Sequence, residues 1–367
     1  MKILTLKETE SSEKRVAITP DVISKYNKLG YDIFVESGLG IGSGNRDEDY
    51  VSAGASVVEN ISEIIADIDI VLKVGAPSEK ELKKLKGSKK NLVLVGMLNP
   101  YQNEEKNKLY QDLEIKAFAT ELFPRITRAQ SMDVLSSQSN LVGYRSVIDA
   151  VSELDVAVPM MMTAAGTITP AKIMILGAGV AGLQAIATAK RLGGVVSAFD
   201  VRAVAKEQVQ SLGAKFIEVA DDSNADGETK AGYAKEMSEE YKKKQSQLIF
   251  DNIIKQDIVI TTALIPGKPA PKLITEEMVK SMKNGAIIVD IAAVNGGNCE
   301  LTEAGKVVEK FGVKIIGYDN FASRISKDAS KLYAKNLYNF VELLTDKDEK
   351  RININMEDEI IKASLIS

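Results

Sequence analysis

The chain has 367 residues, 47 of them basic and 51 acidic, and its formal net charge of −4 excludes nucleic-acid binding by bulk charge. Hydrophobic residues make up 45% and charged residues 27%, the proportions of a soluble globular protein of about two domains rather than a disordered or fibrous one. One cysteine, Cys299, excludes a disulfide framework or a multi-cysteine metal site, and the absence of any histidine removes the commonest metal ligand, the usual base of a nucleophile triad and the usual proton donor of a dehydrogenase.

The opening residues place Lys7, Glu8 and Glu10 where a secretory signal would be apolar. The apolar stretches 156–166 and 173–183 are too short to span a bilayer. A soluble, cytoplasmic chain is expected. Short apolar runs alternate with amphipathic segments, and this pattern of parallel sheet with crossover helices occurs twice. In the first half, strands are expected at 2–6, 32–36, 68–74, 91–95 and 114–119. Thr19 as N-cap, Pro20 at N1, an apolar face of Val22, Ile23, Tyr26 and Leu29, and a closing Gly30 predict a helix between the first two. The glycine cluster at 38–44 lacks a third glycine at fingerprint spacing and runs into the acidic stretch 46–50, so it reads as a flexible turn. A helix at 140–154, with Leu141, Tyr144, Ile148 and Val151 on one face, bridges to the second half. There, strands are expected at 172–176, 195–199, 215–218, 257–261, 286–290 and 314–316. A stripe of Leu332, Leu337, Phe340 and Leu344 predicts a last helix at 329–344 that returns to the first domain. The expected fold class is α/β, with two Rossmann-like doubly wound parallel-sheet domains and an interdomain cleft. The expected boundaries are 1–136 plus 322–367 for a discontinuous first domain, and 137–321 for the second.

The strongest chemical motif is Gly177-Ala178-Gly179-Val180-Ala181-Gly182, directly after the apolar run 173–176 and opening a helix. In this motif the first glycine permits a tight turn, the second lets a pyrophosphate approach the backbone, and the third lets helix and strand pack closely. The helix N-terminus offers amide hydrogens and partial positive charge to the phosphates. Eighteen residues on, Asp200 stands at the end of the next strand. Its carboxylate suits both adenosine ribose hydroxyls and repels a 2′-phosphate, so NAD(H) is preferred, although Arg202 nearby is a residue type that accommodates that phosphate.

The run 124–140 resembles the nicotinamide-side loop of the NAD(H)-binding component of proton-translocating NAD(P) transhydrogenases. Thr163-Ala164-Ala165-Gly166, the fingerprint, the run 261–271 and Gly296-Gly297-Asn298-Cys299 carry the resemblance over nearly the whole chain. It implies that Arg125, Gln130, Asp133 and Ser136 serve the nicotinamide end, with Thr127 and Arg128 in the same loop. Gln130 and Asp133 would hydrogen-bond the NAD ribose and the incoming second nicotinamide, and Arg125 would hold the carboxamide or pyrophosphate. For each of these side chains the other reading is a solvated loop or a salt bridge. By the same match, Val180, Asp200, Val201 and Arg202 join Gly177, Gly179 and Gly182 on the adenosine and pyrophosphate side, and Leu264 lies at the carboxyl edge of the sheet. The polar connection 220–234 would be a mobile loop closing over nucleotide, with Tyr233 at its tip and Gly232 and Ala234 as contacts. The alternative is a charged helix at 235–244 on a long tether.

The resemblance further implies a homodimer, with 156–170 forming a hairpin exchanged between protomers. It also implies partners: an NADP(H)-binding beta-subunit domain and a membrane-spanning component. The chain itself would be the separately encoded first segment of a split alpha subunit, peripheral on the cytoplasmic face. Alanine dehydrogenases are similar in plan, including Arg15 and Lys73, and an NAD-dependent amino-acid dehydrogenase is the alternative function. Oxidative deamination needs a proton shuttle, for which those enzymes place a histidine beside the lysine, whereas hydride exchange between two nicotinamides moves no proton at the reacting carbons. Arg15 and Lys73 are therefore read first as structural. A third possibility is a nucleotide sensor without catalysis.

Overall fold

A computed structural model describes residues 1–85, 87–88, 91–219, 238–265 and 267–367. Its contacts divide the chain into a first unit, Met1–Gln138 with Ala322–Ser367, and a second, Ser139–Phe321. Among the described residues, no helix is long and apolar enough to cross a membrane.

The first unit holds six parallel strands: β1 (Lys2–Thr5), β2 (Asp32–Glu36), β3 (Ser56–Val58), β4 (Ile70–Gly75), β5 (Val93–Met97) and β6 (Lys116–Ala119). Their order is β3-β2-β1-β4-β5-β6. Strands β4 and β5 are buried on both faces, which is why they read as near-continuous apolar runs, broken in β4 only by Lys73, rather than alternating ones. β3 escapes sequence reading because three residues are too few to show a period. One face of the sheet packs on the helix Ser326–Leu343 through Tyr333, Leu337, Phe340 and Val341. The Phe340 ring lies 5.3 Å from Phe118 and 4.7 Å from Phe123. Leu332, expected in that stripe, is exposed instead, because the buried face is centred one residue later, on Tyr333.

Thr19 is the N-cap of the helix Pro20–Lys28 and Pro20 its first residue, as expected, although the Thr19 hydroxyl makes no cap bond; its carbonyl accepts the N–H of Val22 at 3.1 Å. The cluster at 38–44 forms a turn with a 3-10 segment at Ile41–Ser43 that is closely packed at Gly40. A Cβ on Gly40 would stand 2.7 Å from both the Asn45 carbonyl and the Tyr50 ring. The acidic stretch after it forms the helix Asp47–Ser52, and Asp47 accepts the N–H of Gly38 at 2.8 Å.

In the second unit a short exposed antiparallel hairpin, β7 (Met161–Thr163) and β8 (Gly166–Ile168), precedes the sheet. The sheet strands are β9 (Lys172–Leu176), β10 (Val195–Phe199), β11 (Lys215–Ile217), β12 (Ile258–Thr261), β13 (Ile287–Asp290), β14 (Lys306–Lys310) and β15 (Val313–Gly317). They run in the order β11-β10-β9-β12-β13-β15-β14, all parallel except β14, which is antiparallel to β15. β14 is a half-exposed edge strand with alternating charge, a pattern that reads as loop. The strand order reverses at β9, between β10 and β12, and sheets of this kind bind ligands at the carboxyl ends of the strands beside such a reversal.

The bridging helix runs Val134–Ser152, six residues earlier than expected, because Asp133 caps it: the carboxylate accepts the Ser136 N–H at 2.9 Å. Its buried face is Gly143, Ser146, Val147 and Ala150, while Tyr144 of the expected face is exposed. Gly143 sets this rotation, since a Cβ there would lie 2.0 Å from the Ala181 carbonyl.

The two cations singled out in the sequence are buried in the first unit and ion-paired there. Lys73 Nζ stands 2.6 Å from Glu81 and 3.6 Å from Glu8 and donates to the Lys7 carbonyl. Arg15 makes a two-pronged contact with Glu13, at 2.9 and 2.6 Å, and donates to Gln138 at 2.9 Å. Burial opposes ionisation of Glu81, but the Lys73 charge and hydrogen bonds from Lys73 and Ser78 outweigh it and hold the carboxyl below its ordinary range. A lowered folded pKa contributes stability that is present above the unfolded value, about 4.3, and lost as pH falls through the folded one. Glu81→Gln is expected to cost about 3 kcal/mol at pH 7, since it leaves a buried ammonium short of a partner. The gap to wild type should close as pH falls below about 4, as measured by denaturant titration across pH.

Candidate functional site

β9 delivers the chain into Gly177, whose φ of +100° lies in a region closed to most side chains. The Gly177 N–H donates to Phe199 of β10 at 2.9 Å, and its carbonyl accepts the Thr262 hydroxyl at 3.0 Å from beyond β12. A Cβ on Gly182 would stand 1.9 Å from the Gly177 carbonyl, so only glycine lets the helix Val180–Arg191 start this close to the strand. At Gly179, by contrast, the nearest neighbour to such a Cβ is the Arg202 guanidinium at 3.9 Å. Gly179 is also the N-cap, with no side-chain cap bond. The three glycines thus give a turn, a close packing contact and an open face over uncapped amides, which is the donor set an anionic phosphate requires.

Asp200 follows β10 directly, and its carboxylate is organised by four N–H groups. Oδ2 accepts from Ala178 N at 2.6 Å and from Arg202 Nη2 at 2.9 Å; Oδ1 accepts from Arg202 N and Nε, both at 2.9 Å. The sugar-binding acid expected from the sequence therefore stands beside the second residue of the fingerprint. Val180 and Leu264 are exposed and Val201 half-buried.

The Leu264 loop is held by residues that sequence reading missed. Asn298, fully buried, grips Ala263 by both backbone groups, accepting its N–H at 3.0 Å and donating to its carbonyl at 2.9 Å, and also donates to Pro271 at 2.8 Å. Buried Asp290 shapes the segment that carries Asn298, accepting from Thr261 (3.0 Å), Ala292 N (3.1 Å), Cys299 N (3.0 Å) and Thr302 (2.7 Å). Their only trace in the sequence was the Gly296-Gly297-Asn298-Cys299 stretch.

In the first unit, the 3-10 segment Thr127–Met132 is pinned by buried Ala129 and Met132. The Ser131 carbonyl accepts from Asn336 at 2.9 Å and Asn339 at 2.8 Å, two helix residues that sequence reading also missed. Between these anchors Arg125, Thr127, Arg128 and Gln130 are exposed. Arg128 is ion-paired with Asp358 at 2.6 Å. Asp133 and Ser136 are joined to each other, the Ser136 hydroxyl donating to Asp133 Oδ2 at 2.5 Å, so these two side chains double as the helix cap. Tyr233, Gly232 and Ala234 lie outside the described residues.

Two family models match, the alanine dehydrogenase/PNT N-terminal domain over residues 4–142 and the alanine dehydrogenase/PNT C-terminal domain over residues 146–367. This chain belongs to the alanine dehydrogenase/PNT family. Within it, the chain is 50% identical to the first part of NAD(P) transhydrogenase subunit alpha of Rhodospirillum rubrum, an alignment covering 100% of this chain and 96% of that protein. The crystal structure of transhydrogenase from Sinorhizobium meliloti matches with a TM-score of 0.89 at 50% identity, covering 100% of this chain and 98% of that one. Alanine dehydrogenase of Methanococcus maripaludis is 27% identical over 88% of this chain and 82% of its own. The resemblance read from the sequence is borne out, and of these family members the transhydrogenases are nearer than the alanine dehydrogenase.

Asn298→Ala is expected to destabilise the protein by about 3 kcal/mol, because it strands two backbone groups of Ala263 and the Pro271 carbonyl; urea unfolding measures this. Burial pushes the Cys299 thiol up to about 11, so the thiolate is scarce at neutral pH. Iodoacetamide at pH 8 should leave the folded protein unmodified and react fully once denaturant is added, as read by intact mass.

Proposed function

We propose that this chain is the NAD(H)-binding component of a proton-translocating NAD(P) transhydrogenase. In this reading hydride passes directly between NAD(H) held here and NADP(H) held on a partner component, and a separate membrane-spanning component carries protons. The observation that carries the reading is the fingerprint turn, with its open face at Gly179 and Asp200 fixed 2.6 Å from Ala178 N, in a chain that contains no histidine.

The nicotinamide ring supplies the hydride chemistry; the chain supplies binding, alignment and exclusion of water. The amides that open the helix at Val180 bind the pyrophosphate, and Asp200 accepts hydrogen bonds from the adenosine ribose. Val201 and Leu264 offer apolar contact, and Arg202 lies at the pyrophosphate side. Arg125, Gln130, Asp133 and Ser136, with Thr127 and Arg128, align the nicotinamide end. The Ser136 contact holds the Asp133 carboxylate in one orientation, and the clasp of Ser131 by Asn336 and Asn339 keeps Gln130 presented on a firm turn. No acid or base acts at the reacting carbons. Lys73, the one candidate base for amino-acid oxidation, is 1% exposed and ion-paired with Glu81 and Glu8, which speaks against the dehydrogenase alternative.

A homodimer and a peripheral position on the cytoplasmic face of the membrane complete the proposal, with exposed Met161, Met162 and Ile168 of the β7–β8 hairpin available to a second copy.

The test mixes the chain with an NADP(H)-binding transhydrogenase component, NADP⁺ and NADH deuterated at the transferred position. Deuterium should appear on NADPH and not in water, and the chain alone should make no NADH from L-alanine and NAD⁺. Steady NADH production from alanine, or label released to solvent, would overturn the reading. Gln130→Ala should slow the exchange by about tenfold or more, with NADH affinity changed by less than about threefold because the phosphate and ribose contacts are untouched.

A further inference from the structure

The residues read as serving the nicotinamide end lie on one turn of the first unit, and its two halves are held differently. The half from Ala129 to Asp133 is fixed by buried Ala129 and Met132, by the clasp on the Ser131 carbonyl and by the helix cap at Asp133. Arg125, Thr127 and Arg128 come before those contacts and are exposed. We propose that the segment 358–367 braces this first half, and that Asp358 is a positioning residue for hydride exchange, acting through Arg128. The inference deepens the proposed function and rests on it, since the role of the turn at the nicotinamide end belongs to that reading.

Asp358 divides its carboxylate between two tasks. Oδ1 accepts the N–H groups of Ile360 at 2.9 Å and Ile361 at 3.4 Å and so caps the helix Glu359–Ser364. Oδ2 is left for Arg128 and accepts Nη1 at 2.6 Å. Among the described residues Asp358 is the one hydrogen-bond partner of Arg128. The Asp358 side chain is 10% exposed and that of Arg128 52%, so the carboxylate is the seated member and the guanidinium the one it steadies. The cap is seated in its turn by the core, because Ile360 and Ile361 are buried in the same apolar cluster as Phe118, Ala129 and Met132. Beyond the helix, the segment runs along β6, the strand that leads into the turn. Leu365 bridges Phe118 in antiparallel fashion, the Ile366 N–H donates to the Ala117 carbonyl at 2.9 Å, and the Ala117 N–H donates to the Ser367 hydroxyl at 3.1 Å. One short segment therefore grips the turn at its root, through β6, and again at Arg128, with Arg125 between the two grips. Held at both points, the turn presents Arg125 and Gln130 in one geometry. Released at Arg128 it samples others, and transfer between two rings is sensitive to displacements of about 1 Å. The phosphate and ribose contacts at the fingerprint do not depend on this grip.

Hydride exchange between NADH and NADP⁺, measured at saturating nucleotide after mixing with an NADP(H)-binding transhydrogenase component, tests this in wild type, Asp358→Asn, Arg128→Ala and the double variant. NADH titrations and thermal melts accompany each rate. Asparagine caps a helix about as well as aspartate, so Asp358→Asn keeps the helix and removes the charge that holds Arg128. It should slow the saturated exchange by about threefold to fivefold, the scale of one partly exposed ion pair, with NADH affinity unchanged. In the Arg128→Ala background Asp358→Asn should slow exchange no further, because the side chain it acts through is gone. A wild-type saturated rate in Asp358→Asn, with or without a lower melting temperature, would overturn the proposal, as would an equal further slowing of the Arg128→Ala protein. If Asp358→Asn does not fold, Asp358→Ser, which also caps, is read by the same criteria. Wild type that binds NADH but exchanges no hydride would defeat the transhydrogenase reading itself, and this proposal with it.

Discussion

Helix and strand at the fingerprint meet with no side chain between them, and the geometry of the second unit follows from that contact. Gly182 lies against the Gly177 carbonyl, and Gly143 of the bridging helix lies against the Ala181 carbonyl one residue away. Side chains at either position would force backbones apart, and a well-packed interior does not absorb such a displacement. The first turn of the helix Val180–Arg191 is thus seated from two directions, by the strand before it and by the helix that crosses the unit boundary at 138/139. Thr262 adds a third constraint through the Gly177 carbonyl. The open face at Gly179 is what remains when three neighbours have fixed everything around it.

The first unit solves a different problem. Lys73 and Arg15 are nearly inaccessible, and each has carboxylates within its own unit: Glu81 and Glu8 for the lysine, Glu13 for the arginine. Buried cations without partners would be costly, so these contacts explain how two charges persist in a largely aliphatic and aromatic interior. The Tyr333 hydroxyl donates to the Lys73 carbonyl, tying the same strand to the helix that also clasps Ser131. Burial of cations, placement of the C-terminal helix and presentation of Gln130 are therefore connected through one element. The same helix gives the return of the chain after residue 322 a role, since it covers one face of the sheet begun at residue 2.

Much of the fold could be read from local pattern. Most strands of both sheets, though not their order, are apolar runs that are legible because parallel strands are buried on both faces, and the fingerprint is legible because all three glycine constraints act within six residues. What escaped reading was short, edge-placed or remote: β3 with three residues, β14 with its alternating charge, and the side chains that hold the site from a distance. Asn298 contacts Ala263 from 35 residues away, and Asn336 reaches Ser131 from 205 away. Nothing near an asparagine in sequence announces such a partner. Helix faces were displaced by one residue at Tyr144 and Leu332 for a related reason, since apolar spacing leaves neighbouring rotations nearly equivalent until a close contact, such as Gly143 on Ala181, chooses between them.

The order of residues alone determined the class of fold and the dinucleotide motif, because each of these depends on local spacing. Only the tertiary structure decided what Arg202 does. In sequence it is a cation two residues from an acid, compatible with gripping a phosphate or being gripped; in space its bidentate edge faces Asp200. Direction is a property of folded backbone, and charge recognition depends on direction.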